Sequence, residues 1–369
     1  MKLLVTGASG YVGARLIPRL LADGHEVRAG FTDTGKAANY AWADQVDVVT
    51  LDVLDEDQVD GAVGGIDAIY YLVHAMSGED FARKDRRSAH LMAQAAADAG
   101  VERIVYLSGL VPQVPEEELS EHIRSRLEVE RLLGSTDVPT LSLRAAVITG
   151  SGSTSFEIIR QISERMPVQA IPSWMDSEVQ PIALVDVLEA LVGALRVSAQ
   201  TRSYDVGGPD AMPYAELLTV YADVAHIRRP QVNVPGLPSD LVGKLAGLLT
   251  DVPSSTVEAL IESLHHDMVC NERDFVRDLL PEGYTLMPLR ESFVRSLAAA
   301  SGEGDGVEGG EGAAEPGGEP ADPMGPMPHD PTWAGGTGGG VAGAMAGLGA
   351  VVSGIGKALS GDTPARKDS

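Results

Sequence analysis

Strand-like and helix-like segments alternate through the first 150 residues. A glycine-spaced turn joins the first strand to the first helix, and the composition stays globular until about residue 300, where it changes abruptly. These three observations predict an α/β fold: a doubly wound parallel sheet of Rossmann type, a small mostly helical C-terminal substrate region, and a disordered tail.

The first expected strand, residues 3–6, is apolar and runs into Thr6-Gly7-Ala8-Ser9-Gly10-Tyr11-Val12-Gly13, with a helix over residues 12–22. Glycines three apart let the backbone turn tightly, approach a pyrophosphate closely and pack the helix on the sheet. The helix start then offers free N–H groups and a positive dipole end to phosphate. Gly7, Ser9, Gly10, Tyr11, Val12 and Gly13 are therefore expected to cradle a dinucleotide, with an ordinary glycine-rich turn as the alternative. Further strands are expected at 26–31, 46–50, 68–73, 103–107 and 140–144, and further helices at 56–63, 81–99 and 122–133. Right-handed crossovers place a ligand at the carboxyl ends of such strands.

Beyond residue 150 the pattern loosens. Helices are expected at 155–165, 185–196 and 214–225, strands near 179–182 and at 203–206, and mostly helix from 239 to 299. The organisation is then a nucleotide-binding domain with substrate-side insertions (1–230), a helical region (231–299), an acidic linker (300–332) and a Gly/Ala-rich apolar tail (333–369). Residues 301–330 contain no Lys or Arg and little apolar bulk, too little to offset ordering entropy, so disorder is expected. In the tail, Gly335, Gly339, Gly343 and Gly347 recur four apart. That spacing suits close helix packing, although so many glycines weaken a helix in water. Weak membrane-surface contact or self-association through residues 335–359 is one reading, and low-complexity linker the other.

A net charge of −25 over 369 residues argues against nucleic-acid or anionic-membrane partners. The lone cysteine, Cys270, permits no internal disulfide and fits a reducing cytoplasm. It is expected to be buried within a helical stretch, residues 266–275. His265-His266-Asp267 carries metal-ligating residue types, but helical neighbours point about 100° apart, and no metal site is expected.

In order along residues 1–225, the chain carries Thr6-Gly7-x-x-Gly10-x-x-Gly13, Asp52-Val53, Tyr70-Tyr71-Leu72-Val73-His74, Tyr106-Leu107-Ser108-Gly109, Leu143-Arg144, Ile182-x-x-Val185-Asp186-Val187 and Tyr204-Asp205-Val206-Gly207-Gly208-Pro209. This series resembles the atypical extended short-chain dehydrogenases/reductases. That group includes NAD(P)-binding, NmrA-like and epimerase-like proteins and the relatives of the complex I 39-kDa-type subunit. The resemblance implies NAD or NADP as cofactor, with Asp52 and Val53 beside the adenine and Leu72, Val73 and His74 lining the nicotinamide ribose. It also implies an unknown small-molecule substrate. Cofactor preference is set after the second strand, where Thr32 and Asp33 stand. Asp33 favours the ribose diol of NAD, whereas Arg28 and Lys36 are cations suited to a 2′-phosphate.

The resemblance further implies a serine after the fifth strand and Tyr-x-x-x-Lys on the next helix. Ser108 matches the serine. His122 stands in the tyrosine's place and Arg126 in the lysine's, and no tyrosine occurs between Tyr106 and Tyr204. Histidine performs acid/base chemistry near neutral pH; arginine holds a diol but shares no proton there. Two functions follow: an NAD(P)-dependent oxidoreductase or epimerase-like enzyme using His122, Ser108 and Arg126, or a binding protein that holds NAD(P)(H) without turnover. A substrate pocket is expected from residues 150–180 and the helices between 214 and about 299; the run Pro167–Met175 is apolar enough to line it for a hydrophobic ligand, with an ordinary core strand and loop as the alternative.

Overall fold

The computed structural model describes residues 1–74, 80–236, 239–262, 265–298 and 322–334. The nucleotide-binding half runs β1 (Lys2–Val5), α1 (Tyr11–Ala22), β2 (Glu26–Phe31), β3 (Asp47–Thr50), α2 (Glu56–Val63), β4 (Ala68–Tyr71), α3 (Phe81–Ala99), β5 (Arg103–Gly109), α4 (Glu121–Leu133) and β6 (Thr140–Ala145). The chain continues through β7 (Ile148–Thr149), α5 (Thr154–Arg165), β8 (Gln169–Ile171), β9 (Glu178–Val179), β10 (Ile182–Ala183), α6 (Leu184–Gly193), β11 (Arg202–Val206), β12 (Met212–Pro213), α7 (Tyr214–Val224) and β13 (Gln231–Asn233). Among the described residues, α8 (Ser239–Leu249), α9 (Ser254–Glu262), α10 (Asp274–Asp278) and α11 (Leu289–Ala298) follow.

Seven strands form the main sheet in the order β11-β6-β5-β4-β1-β2-β3, and every pairing in it is parallel. Parallel strands bury both faces, which is why β4 (Ala-Ile-Tyr-Tyr) is apolar throughout and buried at every position. Its two tyrosines keep their hydroxyls satisfied: Tyr70 donates to the Leu191 carbonyl at 2.9 Å and Tyr71 to Ser88 Oγ at 2.8 Å. One face packs Leu16, Ile17 and Leu20 of α1 with Leu188 and Leu191 of α6. The other packs Val59 and Val63 of α2 with Met92 and Ala96 of α3 and Val129 and Leu133 of α4. Each such side chain contributes about 1.5–3 kcal/mol by leaving water. The strand order reverses between β1 and β4, and this switch opens a crevice at the carboxyl edge.

One helix carries a built-in defect that another segment repairs. Pro18 lies inside α1 and has no N–H to donate four residues back. The indole Nε1 of Trp42 donates to the Ala14 carbonyl at 3.1 Å instead. Trp42 is held against Tyr40 and Phe31, with ring centroids 4.8 and 6.2 Å away.

Three expectations need correction. The stretch around Cys270 is a loop, because its backbone is spent on tertiary bonds: the Cys270 N–H donates to Gln180 Oε1 at 2.9 Å and Met268 bridges to Val179. The strand expected near 179–182 is two short strands, β9 and β10, separated by Gln180 and Pro181. Finally, disorder was expected across 301–330, yet residues 322–330 are docked: Met324 is fully buried and the Asp330 carboxylate pairs with Arg15 at 2.7 Å. The burial of a few specific groups, which composition averages away, orders this piece. Residues 335–369 of the Gly/Ala-rich tail lie outside the described residues.

Candidate functional site

The glycine turn has the geometry its spacing demands. Gly7 adopts φ +65, which favours glycine, and its N–H-to-carbonyl turn is closed by Gly10 donating to the Gly7 carbonyl at 2.9 Å. A Cβ on Gly13 would lie 2.4 Å from the Gly7 carbonyl oxygen, so the third glycine permits the helix to press on the turn. Gly10 caps α1 without a side-chain hydrogen bond, and no acid stands in the first turn. The first N–H groups of α1 are thus left for an anion.

This turn forms one wall of a cavity of about 750 Å³, large enough for a drug-sized ligand. Gly7, Ser9, Gly10, Tyr11, Val12 and Gly13 line it, as do Leu72, Val73 and His74 after β4, and Ser108, His122 and Arg126 from β5 and α4. Tertiary folding therefore brings three of the sequence-predicted groups, from four stretches of chain, to one space. Thr32, Asp33, Asp52 and Val53 lie outside the cavity lining, past the ends of β2 and β3. Asp33 caps the following turn by accepting from the Gly35 N–H at 3.0 Å, and Asp52 accepts from the Leu54 N–H at 2.9 Å. Arg28 is committed elsewhere, with Nε 2.7 Å from Asp47 and Nη1 2.8 Å from the Ala62 carbonyl. Its strand register pairs it with Asp47, which removes it from the question of a 2′-phosphate.

α4 is fixed on both sides. Arg144 of β6 holds Glu130 through two bonds of 2.9 and 2.6 Å, and Ser125 donates to the buried Asp85 of α3 at 3.2 Å. A spacing of four leaves His122 and Arg126 on a common helix face, and both border the cavity. Phe81 lies parallel to the His122 ring, 4.4 Å away. Burial, and next the Arg126 cation, lower the His122 pKa. The Arg126 charge, followed by burial, holds His74 well below the usual imidazole value. Both rings are neutral at pH 7, so each has a lone pair to take a proton and one N–H to give. Ser108 Oγ is buried and makes no well-formed hydrogen bond among the described residues, though it is near enough to the Tyr106 phenol to ease that group's ionisation.

The far half of the cavity is apolar. Ile158 and Ile162 of α5, Val242 and Ala246 of α8, Ile261 of α9 and Trp174 make its wall. Residues of 150–180 and of the helices between 214 and 299, α8 and α9 among them, line this half as the sequence led us to expect. Cys270 is inert by comparison: burial pushes its thiol up to about 12. His265, His266 and Asp267 point to three separate neighbours, Trp174, the Glu118 carbonyl and the Glu178 N–H.

A doubly wound sheet, a glycine turn at its switch point and an open helix N-terminus form a site suited to the pyrophosphate of a dinucleotide. Residues 7–172 match the model of an NAD(P)H-binding family. The chain is 28% identical over 281 residues to a 3-diazoavenalumate denitrifying reductase from Streptomyces sp, covering 67% of this chain and 88% of that protein. A nucleoside-diphosphate-sugar epimerase from Staphylococcus aureus superposes with a TM-score of 0.66 at 14% identity, covering 80% of this chain and 100% of that one. Citrobacter sp. triphenylmethane reductase, complexed with NADP(H), does so with a TM-score of 0.62 at 20% identity, covering 80% and 99%. The family match covers the glycine turn and most of the parallel sheet, and it supports NAD or NADP as the cofactor. No helix among the described residues is long and apolar enough to cross a membrane.

Proposed function

We propose that the protein is an NAD(P)-dependent oxidoreductase in which His122 takes the place of the family's acid/base tyrosine and the substrate is apolar. The observation that carries this reading is that Ser108, His122 and Arg126 border the same cavity as the phosphate-cradling turn. Ser108 orients the substrate oxygen. A bound NAD(P)⁺ would supply a hydride acceptor, and neutral His122 would take the hydroxyl proton of the substrate alcohol, becoming an imidazolium as the carbonyl forms. Reduction runs the same steps backwards. Arg126 holds the ribose hydroxyls and keeps His122 neutral. Gly7, Ser9, Gly10, Tyr11, Val12 and Gly13 cradle the pyrophosphate, while Thr32 and Asp33 meet the adenosine ribose. Asp52 and Val53 flank the adenine, and Leu72, Val73 and His74 lie along the nicotinamide ribose.

The substrate half supports an uncharged ligand. Arg126 is the sole Lys or Arg in the cavity wall among the described residues, whereas a nucleoside-diphosphate sugar would call for several cations or helix N-termini at its diphosphate. A second reading, a protein that holds NAD(P)(H) without turnover, is favoured by Arg126 itself, which cannot relay a proton at pH 7.

The test is titration of the full chain with NADH and NADPH, followed by turnover assays with hydrophobic ketones and alcohols against UDP-glucose. Turnover of an apolar substrate should fall about 10²–10⁴-fold in His122→Ala, with cofactor affinity little changed. Alcohol oxidation should rise with pH through an apparent pKa below 6.5 and be flat at neutrality, in keeping with the lowered His122 value. Cofactor binding without turnover of any offered carbonyl or alcohol would favour the second reading. Turnover that survives His122→Ala removes His122 from the chemistry.

A further inference from the structure

The end of the described chain returns to its beginning. Arg15, one turn into α1, is fully buried and donates to both Asp330 carboxylate oxygens, at 2.9 and 2.7 Å. Its remaining bonds go to the carbonyls of Pro323, Gly325, Ser151 and Tyr11. Five residues, three of them from 322–334, thus spend their polar groups on a single guanidinium. The Arg15 guanidinium also lies 4.3 Å over the Tyr11 ring.

Each of those partners leads back to the cofactor cavity. Tyr11 belongs to the first turn of α1, whose N–H groups form the phosphate cradle and which no side chain caps. Its phenol is buried so tightly that a Cβ on Gly150 would lie 2.3 Å from the hydroxyl. Ser151 donates its N–H to the Met324 carbonyl at 2.9 Å, and a Cβ on Gly152 would meet Asp330 at 2.8 Å. Two residues on, Ser153 starts α5 and lines the cavity with Thr154 and Ser155. The same segment grips the rest of the molecule: Arg295 holds Asp322 at 2.7 and 2.9 Å, His329 packs on Tyr40 with centroids 4.5 Å apart, and Gln161 donates to the Trp333 carbonyl at 2.8 Å. Trp333 joins Ile158, Ile162 and Trp174 behind the apolar wall.

We propose that residues 322–334 are a strap that sets the pose of the phosphate-cradling helix against the substrate loop, with Asp330 as the positioning residue. Strap docking and dinucleotide binding then strengthen one another. The proposal rests on the dinucleotide site and is independent of whether His122 does chemistry.

Coupling between two binding events is reciprocal, which supplies two separate readouts. In the full chain, Asp330→Asn should weaken binding of the preferred dinucleotide, NADH or NADPH, by about tenfold, within the usual range of such couplings. In the unaltered protein, a saturating dinucleotide should slow hydrogen exchange at the Ser151, Gly325, Met327 and Asp330 amides, which are bonded in the docked strap, by a similar factor. A purely structural Asp330 would lower the melting temperature and leave both readouts unmoved, and that result overturns the proposal. Should Asp330→Asn fail to fold, the exchange measurement on the unaltered protein decides alone: protection that rises on binding supports the strap, and unchanged protection refutes it.

Discussion

At the scale of single residues, the glycine turn behaves as a packing device. Gly13 stands inside a helix, where alanine is ordinarily favoured by roughly 1 kcal/mol. Here the added methyl would sit 2.4 Å from the Gly7 carbonyl oxygen, a contact with backbone that has little room to yield. Gly13→Ala should therefore destabilise the protein by about 1–3 kcal/mol, as overpacking does, and weaken dinucleotide binding in step. Thermal unfolding and a cofactor titration check both; a variant as stable and as tight-binding as the parent would contradict this account. The residues proposed for catalysis divide in the same way between what type alone says and what surroundings say. His122 is readable as an acid/base from its place in the motif. Its neutrality at pH 7 follows from burial and from Arg126 one turn away.

At the scale of elements, α1 shows how a local fault is carried by a distant segment. Pro18 leaves the Ala14 carbonyl without its helical donor, and Trp42 replaces it. Trp42→Phe keeps the ring and removes the N–H, so a buried carbonyl loses its partner at a cost of about 1–3 kcal/mol. Adding Pro18→Ala should restore most of that loss, because alanine returns the missing N–H. A double-mutant cycle by denaturant unfolding reads the coupling, and strictly additive effects would refute it. The helix α4 presents the complementary case. Its sequence placed His122 and Arg126 on one face, but the clamps that aim that face, Arg144–Glu130 and Ser125–Asp85, join residues far apart in the chain.

At the scale of the whole molecule, stability has a defined dependence on pH. His25, His74, His122 and His329 all have pKa values lowered in the fold. Burial is the leading cause for His25, His122 and His329, and the Arg126 charge for His74. Between those lowered values and about 6.5, the unfolded chain binds protons that the native state does not. Stability therefore rises with pH across that window and is lost as pH falls below about 6.5. Unfolding midpoints measured at pH 7.5 and 5.5 should differ in that sense, before most carboxylates begin to titrate. Equal midpoints, or a higher one at pH 5.5, would contradict this account.

The sequence by itself determined the periodic parts of this protein. Helix α3 and strand β2 match their expected limits because their apolar spacing is regular and their ends are marked, Gly100 closing α3 in a left-handed turn. The glycine turn was legible for the same reason: it is a local demand on backbone conformation, written in consecutive residues. Tertiary structure alone decided the rest. It removed Arg28 from cofactor recognition by pairing it across strands with Asp47, and it placed Cys270 in a loop. It docked Asp330 on Arg15. These outcomes depend on contacts between residues tens to hundreds of positions apart, whose energies arise only once the backbone has brought them together, and no local periodicity encodes them.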